Sequence, residues 1–181
     1  NAEQYLAVES GTLNLATADV ALHCDLIMDI GAEGTDGPTI AIAEVCEGIE
    51  AAVLSIRSGD ISIVCTDDCL NAANSDLANY DFAINISGGN VTAIGGKGFD
   101  SQSGGAPISG GAGIGGGTDS LGQSNGGAGS NITISGGTVN AVGGRNSAGI
   151  GGGDGAGCSD ITISGGTVTA SSEDGAAGIG G

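Results

Sequence analysis

The chain has 181 residues, of which 39 are Gly and only four are aromatic (two Tyr, two Phe, no Trp), which excludes a globular core built on aromatic rings. Hydrophobic residues make up 39% of it, too many for a chain kept disordered by lack of apolar surface. Three basic residues stand against 21 acidic ones, a net charge of −18, and this balance excludes the Lys- and Arg-rich surfaces that take nucleic acid or an anionic membrane.

Taken in chain order, two short patterns alternate. The first places one aliphatic or aromatic residue among small and polar neighbours, at Leu22, Ile49, Leu70, Phe99, Ile114, Ile150 and Ile179. The second is a short alternating strand, a glycine bend and another short strand, at residues 54–63, 84–93, 132–141 and 161–170. Its last two copies share Ile-Thr-Ile-Ser-Gly-Gly-Thr-Val. Period-two alternation puts Ile132, Ile134 and Val139 on one face and Thr, Ser and Asn on the other. A unit of this kind buries its apolar face only by stacking on copies of itself. The expectation is therefore an all-β, right-handed, single-stranded parallel β-helix of about seven coils, roughly 30 Å long at the usual strand spacing. The seven ladder residues stack in its core. No stretch keeps a 3.6-residue apolar period, and no run reaches the length of a membrane-spanning helix.

The acids concentrate between residues 67 and 81, with Asp67, Asp68, Asn71, Asn74, Asp76, Asn79 and Asp81. Stacking in register sets Glu47 beneath Asp68, Glu50 beneath Asn71 and Asp100 above Asn71. Like charges at strand spacing repel unless a cation lies between them, and carboxylate and amide oxygens are the donors that Ca²⁺ prefers. The expected metal ligands are thus Asp67, Asp68, Asn71, Asn74, Asp100, Glu47, Glu50 and Asp76, with Ca²⁺ as cofactor.

No catalytic residue is expected. The Asp67–Asp68 pair imitates the carboxylates of an inverting glycosidase. However, the single histidine, His23, lies two coils away, and Arg57, Lys97 and Arg145 are scattered, so no base for a lyase stands near a site. Five cysteines (24, 46, 65, 69 and 158) form no CxxC pair and no zinc spacing, and their odd number predicts buried free thiols. The glycine runs at 115–117 and 151–153 are read as tight corners, and the glycosylation patterns at Asn85, Asn90 and Asn131 fall in predicted strands.

The stretch Asp67-Asp-Cys-Leu-Asn-Ala72, continuing through Tyr80 and Phe82 to Ile84-Asn-Ile-Ser-Gly-Gly89, resembles the clostridial carbohydrate-binding domain family. Gly48-Ile-Glu-Ala51 and Gly98-Phe-Asp-Ser101 resemble that family's flanking coils. The resemblance implies a calcium-binding parallel β-helix with affinity for polygalacturonate and cellulose, exported by Gram-positive anaerobes. It covers roughly residues 10 to 105. Cys69 stands where that family has Gly, and Lys97 where an acid is common. Residues 106–181 look like the repeats of large bacterial surface proteins.

The reading is one continuous solenoid. Residues 1–105 are acidic coils that bind acidic polysaccharide through calcium, and residues 106–181 are glycine-rich repeats that continue it. The alternative is a structural role, with coils stacking end to end into an adhesive fibre. The protein is expected to be secreted or held at the cell surface, and the chain, which starts at Asn1 and stops inside a repeat, to be a piece of a longer one.

Overall fold

The computed structural model describes residues 2–73, 76–77, 80–96, 110–116 and 129–181. The strands come in pairs, one pair per coil. β1 (Tyr5–Val8) and β2 (Thr12–Leu15) make the first, β3 (Leu22–Ile30) and β4 (Thr39–Val45) the second, β5 (Ile49–Ile56) and β6 (Asp60–Cys65) the third. From the fourth coil a two-residue strand precedes the pair: β7 (Leu70–Asn71), β8 (Ala83–Ile86) and β9 (Asn90–Ile94). The fifth has β10 (Ile114–Gly115), β11 (Gly129–Ile134) and β12 (Thr138–Gly143). The sixth has β13 (Ile150–Gly151), β14 (Cys158–Ile163) and β15 (Thr167–Ser172), and β16 (Ile179–Gly180) opens a further turn.

Among the described residues all pairings are parallel, and they build a ten-stranded first sheet and a six-stranded second one in which each strand lies on its counterpart of the coil before. The chain is an all-β parallel β-helix. Its crossovers are of the kind that is right-handed in nearly all proteins. The alternation expected from sequence holds at the level of burial. Met28, Ile30, Leu54, Ile56, Ile84, Ile86, Ile132 and Ile134 are sealed inside, and their alternate neighbours face out. The bend between the two strands needs glycine at its second position. Gly89, Gly137 and Gly166 sit at φ of 84°, 81° and 82°, a region that side-chain-bearing residues disfavour.

The ladder differs from expectation at one rung. Leu22 pairs with Ile49, Ile49 with Leu70, Leu70 directly with Ile114, Ile114 with Ile150, and Ile150 with Ile179. Phe99 lies outside the described residues, and the direct pairing of Leu70 with Ile114 leaves no rung between them. This removes the short 99-to-114 step that the sequence pattern demanded.

The thiol expectation is also corrected. Cys65 and Cys69 form a disulfide with Cα atoms 5.8 Å apart. Cys158 is exposed rather than buried, Cys46 is half-buried, and only Cys24 is a buried free thiol. The bridge has a structural reason. The residue before each ladder position is otherwise small (Ala21, Gly48, Gly113, Gly149 and Gly178). Cys69, in that column, is fully buried at the corner where β6 ends in Cys65.

Candidate functional site

The corner that leads from the second sheet into the first repeats in every coil, and its columns can be read across the coils. Two residues before the ladder position stand Val20, Glu47, Asp68, Ala112, Ala148 and Ala177. Backbone hydrogen bonds fix this column: Gly48 N donates to Asp68 O (2.9 Å), Cys69 N to Ala112 O (3.3 Å) and Gly113 N to Ala148 O (3.4 Å). One residue after the ladder stand His23, Glu50 and Asn71, paired in register. Glu47 therefore lies beneath Asp68, and Glu50 beneath Asn71, as the spacing predicted.

These side chains touch. Asn71 Nδ2 donates to Glu50 Oε2 at 3.5 Å, and His23 Nε2 lies 3.1 Å from Glu50 Oε1, with His23 Nδ1 3.7 Å from Asp25. Asp68 is 1% exposed, and its Oδ1 accepts the backbone N–H of Ala112 at 3.1 Å. Asp67 is 8% exposed on the same turn, held by its N–H to Cys46 O at 2.9 Å. The Cys65–Cys69 bridge closes around this turn.

The electrostatics follow from crowding acids in a place water hardly reaches. Burial, a hydrogen bond with Glu50, and the charges of Glu50, Asp67 and Asp19 push Glu47 up to about 8. Burial first, then the charges of Asp67, Glu47 and Glu50, raise Asp68 well above the usual carboxylate range, against the opposing Ala112 hydrogen bond. One carboxylate oxygen, Glu47 Oε2, is buried with no hydrogen-bond partner. The same field reaches Cys46, whose thiol is raised by burial and by Asp67 and Glu47.

Of the predicted ligands, Glu47, Glu50, Asp67, Asp68 and Asn71 meet at this corner. Asp76 is exposed on the segment between β7 and β8. Asn74 and Asp100 lie outside the described residues. The oxygen donors suit a hard cation in type, but among the described residues no three His, Cys, Asp or Glu side chains converge on one metal position. Sequence reasoning missed two members of the cluster. Asp19 acts on Glu47 from the coil below, and His23, two coils from Asn71, is directly under Glu50. The ladder spacing carried that signal, since His23, Glu50 and Asn71 each follow a ladder residue by one.

Ser147 is fully buried and donates to the carbonyl of Gly110, while Ala112 and Ala148 fill the acid column.

No curated protein and no solved structure matches the chain. A family model described as a beta helix repeat matches residues 132–154 and 161–181, in the glycine-rich fifth and sixth coils. By its strand pairing and this match, the chain is a parallel β-helix whose C-terminal coils are similar to beta helix repeats.

Proposed function

We propose that this β-helix is a non-catalytic, calcium-dependent binder of acidic polysaccharide, secreted or displayed at the cell surface, with the acid corner of its third and fourth coils as the site. Its fold suits a polysaccharide-binding or a structural role. The observation that carries the binding reading is the stacked column of Glu47 and Asp68 flanked by Glu50, Asp67 and Asn71. Carboxyls crowded into one half-buried corner resist ionisation there, and a divalent cation is the counter-charge that lets them ionise together. Calcium bound at the corner would supply coordination positions for uronate oxygens. Asn74, Asp76 and Asp100 complete the proposed ligand set. The resemblance of residues 67–89 to the clostridial carbohydrate-binding domains supports the same ligand class. The non-catalytic reading is supported by the burial of Asp68, which is bonded to Ala112, and by the absence of a basic cluster near the Asp67–Asp68 pair in the sequence.

Calorimetric titration with polygalacturonate, in calcium and again in EGTA, tests this. Heat of binding should appear only with calcium, and Asp67→Asn and Glu50→Gln should remove most of it while circular dichroism stays unchanged. If polygalacturonate binds in neither condition and calcium still raises Tm, the metal is structural and the ligand assignment fails.

A further inference from the structure

Six strands, β2, β4, β6, β9, β12 and β15, lay their outward side chains on one long face of the second sheet. Its first column is Thr12, Thr39, Asp60, Asn90, Thr138 and Thr167, paired in register and all exposed. Two residues further along each strand, the second column holds only Asn, Ala, Ser and Thr. The third column is largely apolar, with Val64, Ile94 and Val142 in register and Ala43 exposed on the strand before. Among the described outward side chains of these strands Asp60 is the one that carries a charge, and it accepts a hydrogen bond from Asn90 Nδ2 at 2.9 Å. In a chain of net charge −18, a face of small uncharged groups with an apolar edge has the composition of an interface core.

The face is not level. Over the first three strands its alanines leave a groove of about 370 Å³ along Ala16, Ala41, Ala43 and Val64, and Val64 is 46% exposed there. Over the fourth and fifth strands the larger Ile94 and Val142 fill the third column. A two-fold axis parallel to the strands, midway between β6 and β9, sets a second copy face to face with the strand order reversed. Each column then meets itself, the first strand meeting the sixth, the second the fifth and the third the fourth. Ala43 comes opposite Val142 and Val64 opposite Ile94, the smaller side chain against the larger in both. Asp60 comes opposite Asn90, so no carboxylate of the first column faces another. The same operation brings Arg145, two residues past β12, opposite Glu47, two residues past β4, a pairing of opposite charges. The other face-to-face two-fold, along the coil axis, lays the first column on the third and buries the Asp60 carboxylate against Val64, which is costly.

We propose that this face is the interface of a two-fold dimer of the chain. With side-chain margins it measures roughly 29 Å by 18 Å, about 1,000 Å² over two copies, the lower end of what a specific interface needs. The dimer is therefore weak, and salt strengthens it, because two copies of charge −18 repel outside the face. The inference stands without the polysaccharide reading. Where that reading also holds, the pair carries both acid corners along one edge, and a repetitive polymer meets two sites.

Sedimentation of the whole chain in EGTA, without sugar, tests the proposal. A dimer should form at about 100 μM protein in about 0.5 M NaCl and dissociate in about 0.05 M. Val64→Glu should weaken association about tenfold or more, whereas Ile27→Glu, 39% exposed on the first sheet, should leave it unchanged. Circular dichroism should be the same for both variants. In a Cys158→Ser background, mild oxidation of Ala43→Cys mixed with Val142→Cys should give a disulfide-linked pair, and Ala41→Cys alone should give none. A monomer at every salt concentration overturns the proposal, as does association that Val64→Glu does not weaken. Cross-linking of Ala41→Cys alone overturns the axis, since a second-column residue faces its own copy only in the other two-fold.

Discussion

At the corner entering the first sheet, the third and fourth coils place Glu47 and Asp68 where the fifth and sixth place Ala112 and Ala148. Three residues further on, Glu50 and Asn71 give way to Gly115 and Gly151. The backbone changes with them. Gly115, Gly151 and Gly180 sit at φ of 134°, 140° and 137°, and a Cβ on Gly115 would run into the carbonyl of Gly151. The glycine half gains its order from backbones that approach closely over methyl-sized side chains. The acid half gives that up, keeps side chains in the columns, and crowds carboxyls whose ionisation their burial opposes. One solenoid pitch therefore accommodates two kinds of corner: close backbone packing in one half, stacked polar side chains in the other.

The comparison breaks most visibly by adding side chains to the glycine half. Gly151→Val meets both a disfavoured φ and the carbonyl of Gly180, and should cost about 4 kcal/mol or prevent folding. Glu50→Gln, in the same column of the acid half, should stay folded; urea unfolding of both variants checks the contrast. Ala148→Asp next carries the acid column into the neutral half. Ala148 is 1% exposed, so a carboxylate there should cost about 3 kcal/mol at neutral pH. Unfolding at low pH, where the carboxyl is neutral, should recover much of the loss.

The repeats explain why so much was legible. The shared Ile-Thr-Ile-Ser-Gly-Gly-Thr-Val segments align residue for residue, Ile132 on Ile161 and Val139 on Val168, and the 22–49–70 spacing placed Glu47 under Asp68 without coordinates. Reading failed where local pattern and coil period disagree. Residues 96–101 imitate a rung, yet Leu70 pairs with Ile114. The disulfide escaped because a separation of four matches no familiar motif, whereas the corner between β6 and β7 brings the two Cα atoms within reach. His23 is far from Asp67 along the chain but pairs with Glu50 across the sheet, a contact that only register reveals.

The acid half should show its repulsion as a pH dependence. Glu47 titrates near 4.5 when unfolded and near 8 when folded. Below about pH 4.5 both states hold the proton and the group costs nothing. As pH climbs from there towards 8, the unfolded chain ionises and the folded one does not, so stability falls; above 8 the penalty is constant. Allowing for partial exposure and the coupling to Glu50, the loss should be on the order of 2–3 kcal/mol. Asp68, raised in the same direction, adds to it. Chemical unfolding in EGTA between pH 4.5 and 8.5 should show the decline, and Glu47→Gln should flatten it. A flat profile in the unaltered protein would mean that the corner is better solvated than its packing indicates.

The smallest expected effect concerns what holds the acid turn in place. The Cys65–Cys69 bridge spans only four residues, so in the chain-entropy account it removes little freedom from the unfolded state, about 1–2 kcal/mol. Replacing both, Cys65→Ser with Cys69→Gly, restores the glycine found at that position in the third and fifth coils, Gly48 and Gly113. Unfolding should therefore register only that modest loss. Calcium-dependent polygalacturonate binding should fall further than stability does, because Asp67 and Asp68 lie on the turn that the bridge closes. If binding and stability instead fall together, or neither changes, the bridge is a staple of the fold like the glycines of the neutral half. The difference between the halves would then lie in the carboxylates alone.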